Sequence, residues 1–218
     1  MDIQTILSQT DNTILRPDAR RDEIETCVRD AVSFGMASAC VASCRIQDGV
    51  ALAKGRVPLC AVIGFPHGNC TTGTKLFEAE QALADGAQEL DMVINIGWLK
   101  EDRFDAVFEE ILSLRELSRG HVLKVIVETC LLNEAEKLRM CDLVARAEAD
   151  FIKTSTGYAI GGAEIADIEL FRKRLPAHVQ IKASGGIQSF AQAQTFLEAG
   201  ATRVGASRLA ALAKGLIA

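Results

Sequence analysis

The sequence has little that would divide it or address it elsewhere. It holds only four prolines, one tryptophan and one tyrosine in 218 residues, and no low-complexity stretch or long run of one charge sign. One domain over residues 1–218 is therefore expected. No Cys-x-x-Cys pair occurs, and the seven cysteines are an odd number, which argues against a disulfide framework or a zinc knuckle. No apolar run approaches the length of a membrane span, and the start Met1-Asp2-Ile3-Gln4 lacks the basic opening of a signal peptide. A soluble, cytoplasmic protein with no membrane partner is expected. The net charge of −5 with scattered basic residues leaves no footprint for nucleic acid. His67, His121 and His178 lack ligand spacing, and Gly-x-Gly-x-x-Gly is absent, so neither a metal nor a dinucleotide cofactor is expected.

What is present is a repeated pairing of strand and helix. Short runs rich in β-branched residues predict strands over 10–15, 37–42, 59–65, 88–95, 122–128, the start of 149–158, 179–184 and 203–207. Apolar residues at helical spacing follow each of them, as in Phe104, Val107, Phe108, Ile111 and Leu114. A short helix over 2–8 is expected to plug or flank the bottom. This rhythm implies parallel strands under covering helices. An open doubly wound sheet shares it. Eight units, and ionisable residues on the strand face away from the helices, favour a closed α/β fold, the (β/α)8 TIM barrel, with that face as the lumen.

The stretch Ala149-Asp150-Phe151-Ile152-Lys153-Thr154-Ser155-Thr156-Gly157-Tyr158 is the centre of the chain. Strand alternation puts Phe151, Lys153 and Ser155 on the lumen face and Ile152 and Thr154 under the helices. It groups Lys124 with Ile126 and Glu128, groups Lys182 with Ser184, and places Asp91 in mid-strand. Four strands are thus each expected to bring one charge to the lumen, with Asp11 available on the first. A single buried lysine can simply be paired with a carboxylate. Three lysines with Asp91 suggest instead an amine nucleophile, because burial and a neighbouring ammonium both favour the uncharged form. Such an amine attacks a carbonyl, and the resulting Schiff base is an electron sink for cleaving or forming the adjacent carbon–carbon bond.

Two small-residue turns add a second signal. Ser184-Gly185-Gly186-Ile187 and Gly205-Ala206-Ser207 each precede a helix, where backbone N–H groups can cradle a phosphate. Cys40 and Cys44 flank the end of the second strand, where packing and a reactive thiol both stay open.

Taken in order, Asp11-Asn12-Thr13, Ile63-Gly64-Phe65-Pro66-His67-Gly68, Glu89-Leu90-Asp91-Met92-Val93-Ile94-Asn95, Leu123-Lys124-Val125-Ile126-Val127-Glu128, Lys153-Thr154-Ser155-Thr156-Gly157, Lys182-Ala183-Ser184-Gly185-Gly186 and Gly205-Ala206-Ser207 resemble the deoxyribose-phosphate aldolases. The resemblance runs from Asp11 to Ser207. It implies a class I aldolase without metal or cofactor, joining acetaldehyde to a phosphorylated sugar aldehyde. It implies Lys153 as the Schiff-base lysine, Lys182 as the ammonium beside it, and Asp91 as the group that handles protons. Lys124 and Asp11 would support the charge network. Gly157, Gly185, Gly186 and Ser207 would hold phosphate, with Arg208 able to add a guanidinium at the first turn of the last helix.

The chain departs from the family at Asn12, where a histidine is usual, at Arg208, where a small residue is usual, and in having Tyr158 as its only tyrosine, whereas some members carry one in a C-terminal tail. A Schiff-base aldolase of another phosphosugar and a catalytically silent phosphate-binding barrel are the alternatives. Self-association, as a dimer, is left open by the apolar helix faces.

Overall fold

The computed structural model describes residues 1–217; Ala218, the last residue of the expected domain, lies outside them. The β-branched runs become β1 (Thr10–Ile14), β2 (Ser38–Ala42), β3 (Leu59–Ile63), β4 (Glu89–Val93), β5 (Val122–Ile126), β6 (Phe151–Lys153), β7 (Gln180–Ser184) and β8 (Arg203–Ala206). Each strand pairs in parallel with its sequence neighbours, and β8 closes on β1, giving the expected (β/α)8 barrel. The strands are shorter than the apolar runs because polar turn chemistry starts early. At the end of β3 the Glu78 carboxylate accepts the Gly64 N–H at 2.8 Å, which takes that residue out of the ladder.

The helices are α1 (Ile3–Ser8), α2 (Arg21–Ser33), α3 (Ile46–Ala53), α4 (Thr72–Ala84), α5 (Ile96–Lys100), α6 (Phe104–Leu117), α7 (Glu134–Arg146), α8 (Ile165–Arg174), α9 (Phe190–Glu198) and α10 (Leu209–Ile217). Their starts follow ordinary capping chemistry. Asn133 and Glu136 form a reciprocal capping box on α7, and Ser189 caps α9 by accepting the Gln192 N–H. The short α5 has no counterpart among the expected helices, and its cap is Asn95, which accepts the Trp98 N–H at 3.2 Å. As expected, α1 sits at the bottom. Its Ile6 and Leu7 are buried, and Thr10 at the start of β1 donates its hydroxyl to the Ile6 carbonyl at 2.7 Å.

Alternation divides each strand as the sequence implies. Leu123, Val125, Val127, Ile152, Ile181 and Ala183 belong to the continuous apolar core between strands and helices. Each fully buried Val, Leu or Ile there contributes about 1.5–3 kcal/mol of transfer free energy, so the outer layer supplies the stability that a charged lumen does not. One ion pair interrupts that layer. Lys75 on α4 and Glu110 on α6 are fully buried at 2.8 Å; Lys75 also donates to the Val93 carbonyl, and Glu110 accepts the Asn95 N–H. The pair ties both helices to the end of β4, close to where the lumen charges lie.

Candidate active site

Lumen residues of four other strands converge on Asp91 of β4. Its Oδ2 accepts from the ammonium groups of Lys153 and Lys182, each at 2.6 Å, and its Oδ1 accepts from Lys124 at 2.9 Å and from the Cys60 thiol at 3.1 Å. Two ammonium nitrogens on one carboxylate oxygen lie within the ~4–6 Å over which like charges act on each other's ionisation. Asp11 on β1 pairs with Lys182 and with Arg203 of β8, the latter at 2.5 Å. Glu89 on β4 takes Lys124 at 2.5 Å and Arg203 at 3.3 Å. Phe151 closes the floor, its ring facing both Lys124 and Arg203.

Burial alone would neutralise Asp91, Asp11, Lys182 and Lys124, and their mutual arrangement prevents it. Desolvation pushes the Asp91 carboxyl up, but Lys124, Lys153 and Lys182 outweigh it and hold Asp91 well below the usual carboxylate range. Asp11 is likewise held down by Lys182, Lys124 and Arg203 against its burial. For Lys182, burial disfavours the charge, while Asp11 and Asp91 more than restore it and lift the ammonium above the ordinary lysine range. Lys124 is raised in the same way, chiefly by Asp91 against burial. Lys124 and Lys182 are therefore cations at neutral pH. With every group ionised, Lys124, Lys153, Lys182 and Arg203 exceed Asp11, Glu89 and Asp91 by one charge.

A cavity of about 690 Å³ opens above this cluster at the C-terminal ends of the strands. Of the lumen cations only Lys153 lines it; Lys124 and Lys182 lie beneath, fully buried. Gly157, Gly185, Gly186, Ser207 and Arg208 line the same cavity, so the residues expected to hold phosphate border one space with Lys153. Gly157, Gly185 and Gly186 all have positive φ, and a Cβ on Gly185 would stand 3.1 Å from the Gly162 Cα. Only glycine lets these two turns stack. The N–H groups of Gly157, Gly185 and Gly186 have no acceptor among the described residues, which leaves them for an anion.

Several positions differ from the sequence reading. Six strands bring charge to the lumen, the expected four with Asp11 on β1 and, beyond them, β8, and β4 brings two carboxylates. Glu89 and Arg203 were not expected there because they open their strands, where a charge reads as solvent-facing. Shared parity of Glu89 with Asp91 was the available signal. Arg208 is exposed and precedes α10 rather than sitting in its first turn, with its carbonyl accepting the Leu212 N–H at 3.1 Å. Asn12 donates to the Cys27 carbonyl at 2.9 Å and lines the cavity rim. Cys40 is fully buried in the lumen, opposite Cys60 in the β2–β3 register, whereas Cys44 is exposed. The sulfurs of Cys40 and Cys60 and the Asp91 carboxylate converge within 4.8 Å of one another. Three ammonium groups already occupy Asp91, and one of them stands 3.4 Å from the Cys60 sulfur, so the surroundings oppose a metal cation.

Fold and site together define a barrel that can hold a carbonyl compound as a lysine Schiff base beside an anion cradle. A model of the DeoC/LacD family aldolases matches residues 5–217, and the chain belongs to that family. It is 43% identical over 214 residues to the deoxyribose-phosphate aldolase of Streptococcus pyogenes serotype M4 (strain MGAS10750), covering 98% of this chain and 96% of that one. The aldolase QR15 superposes with a TM-score of 0.93 at 37% identity, covering 97% of this chain and 96% of the other. The tetrameric deoxyribose phosphate aldolase from Aeropyrum pernix superposes with a TM-score of 0.91 at 32% identity, covering 99% and 93%.

Proposed function

We propose that this chain is a class I deoxyribose-phosphate aldolase, reversibly cleaving 2-deoxy-D-ribose 5-phosphate to D-glyceraldehyde 3-phosphate and acetaldehyde through a Schiff base on Lys153. One observation carries the assignment of the lysine: Lys153 is the lumen cation that lines the cavity, while Lys124 and Lys182 are buried beneath it in ion pairs. Loss of one proton from Lys153 leaves Lys124, Lys182 and Arg203 balanced by Asp11, Glu89 and Asp91.

The amine of Lys153 adds to the C1 carbonyl of the open-chain sugar, and the carbinolamine loses water to give an iminium. The iminium draws in the electrons of the C2–C3 bond as that bond breaks, while the C3 hydroxyl gives up its proton and C3 becomes the aldehyde carbon of glyceraldehyde 3-phosphate. The enamine left behind takes a proton at C2, and water releases acetaldehyde and regenerates the amine. Asp91 is held as a carboxylate, so it orients Lys153 and relays protons from the neighbouring Lys182 ammonium rather than storing one itself. Gly157, Gly185, Gly186 and Ser207 hold the 5-phosphate, with Arg208 at the rim. The iminium is the electron sink, so no step calls for a metal or cofactor.

Incubation with acetaldehyde and borohydride tests the nucleophile, with an ethyl group expected on the peptide containing Lys153. A label on Lys124 or Lys182 would overturn that role. Acetaldehyde release from 2-deoxyribose 5-phosphate tests the reaction, and a silent phosphate-binding barrel would give none. The seven free thiols support a reducing, cytoplasmic setting. Exposed Phe77 and Leu212 supply apolar surface for a homo-oligomer such as a dimer, to be read from sedimentation.

A further inference from the structure

Glu128 is a buried carboxylate that the chemistry above does not use. It lies two residues beyond β5, only 2% exposed, with its backbone in the left-handed region at φ 57 and ψ 64. A non-glycine residue is strained there and persists only where its surroundings over-determine it. What surrounds it is the turn after β6. Both carboxylate oxygens accept the Thr156 N–H at 3.2 Å, and Oε2 also accepts the Thr156 hydroxyl. With its proton directed at Glu128, that hydroxyl turns a lone pair to the Tyr158 N–H at 3.0 Å. Tyr158 N–H, Thr156 O–H and Glu128 thus form a one-way relay that brackets Gly157, whose own N–H stays unpaired among the described residues and whose Cα packs on the Gly185 turn. Thr129, beside Glu128, ties the same two loops again through its N–H to the Thr154 carbonyl at 2.9 Å.

We infer that Glu128 is a positioning residue for phosphate recognition. It fixes the Thr156–Tyr158 turn so that the Gly157 N–H points into the cavity with those of Gly185 and Gly186. The inference rests on the function proposed above for the substrate, but the geometry of the anion cradle can be read without turnover. The carboxylate meets both Thr156 donors: its two oxygens share the N–H, and Oε2 takes the O–H as well. A glutamine keeps a single uncharged oxygen for both donors and sets an NH2 where Oε1 accepted the N–H, which weakens the relay while keeping size and shape.

The test uses Glu128→Gln and Thr156→Val, each compared with wild type in two measurements. Binding of inorganic phosphate, followed by calorimetry and by the amide resonance of Gly157, is expected to weaken about tenfold in both variants, the worth of about one hydrogen bond. In turnover, the ratio of kcat/KM for 2-deoxyribose 5-phosphate over unphosphorylated 2-deoxyribose is expected to fall by a similar factor, carried by KM. Unchanged phosphate binding with a perturbed melting temperature would overturn the inference, since a merely structural carboxylate lowers stability without moving that ratio. Equal losses on both substrates would overturn it as well. If wild type turned over neither sugar, the proposed reaction would fail while the phosphate titration still decided the role of Glu128.

Discussion

Replacing Arg208 with serine removes the one guanidinium that borders the cavity without an ion pair or side-chain hydrogen bond among the described residues. A hydrogen bond from a charged donor to a phosphate in a dry site is worth about 1.5–3 kcal/mol. Arg208 is exposed at the rim, however, where ion pairs contribute about 0.2–1 kcal/mol. In the function proposed here the backbone cradle of Gly157, Gly185 and Gly186 carries the phosphate in either case. A loss near 1 kcal/mol follows, or roughly a fivefold rise in KM for 2-deoxyribose 5-phosphate with kcat little changed. Because the charge is exposed, the difference must also depend on salt: screening lengths fall from about 10 Å at 0.1 M to about 3 Å at 1 M. Steady-state retro-aldol kinetics on the phosphorylated and unphosphorylated sugars, at low and high salt, check every part of this. An unchanged KM at low salt would refute the reasoning, as would an equal loss on both sugars.

Two further outcomes follow from the lumen charges. Breaking a buried pair costs about 3–5 kcal/mol when a charge is stranded, but in Glu89→Gln the Lys124 ammonium keeps Asp91 at 2.9 Å and Arg203 keeps Asp11 at 2.5 Å. A destabilisation of about 1–2 kcal/mol is therefore expected, lowering Tm by roughly 2–8 °C in calorimetry, and an unmoved Tm would show that Glu89 contributes nothing. Asp11 is held below the ordinary carboxylate range in the folded state, so its stabilisation is fully present above the unfolded value near ~3.9 and is lost as pH falls through the folded one. The stability margin of wild type over Asp11→Asn in urea should accordingly be constant from neutrality to about pH 5 and shrink below about pH 4, and a margin independent of pH would contradict the pairing.

Much of the barrel was legible because alternation is a local property. Lys153 beside Ile152, Lys124 between Leu123 and Val125, and Lys182 between Ile181 and Ala183 can each face only one way once helices cover the other side. The glycine turns were legible for a similar reason, since positive φ and close backbone approach admit little else. Pairings were not. Nothing local links Lys75 to Glu110, 35 residues away, and both read as ordinary charges on amphipathic helices until α4 and α6 pack together. Arg203 and Asp11 are 192 residues apart and meet only because β8 closes on β1.

Depth in the lumen lies between these two cases. Parity says that Lys124, Lys153 and Lys182 face inward but not which of them meets the cavity, because strand tilt and stagger place residues of equal parity at different heights. A local cue to height exists all the same. Lys153 is the last residue of β6 and runs straight into Thr154-Ser155-Thr156-Gly157, whereas Lys124 and Lys182 are each followed by two more strand residues, Val125-Ile126 and Ala183-Ser184. Barrel chemistry gathers at the C-terminal ends of strands, so the lysine nearest its own strand end is the one raised to the cavity floor, and those set further back are left to hold the charges beneath it.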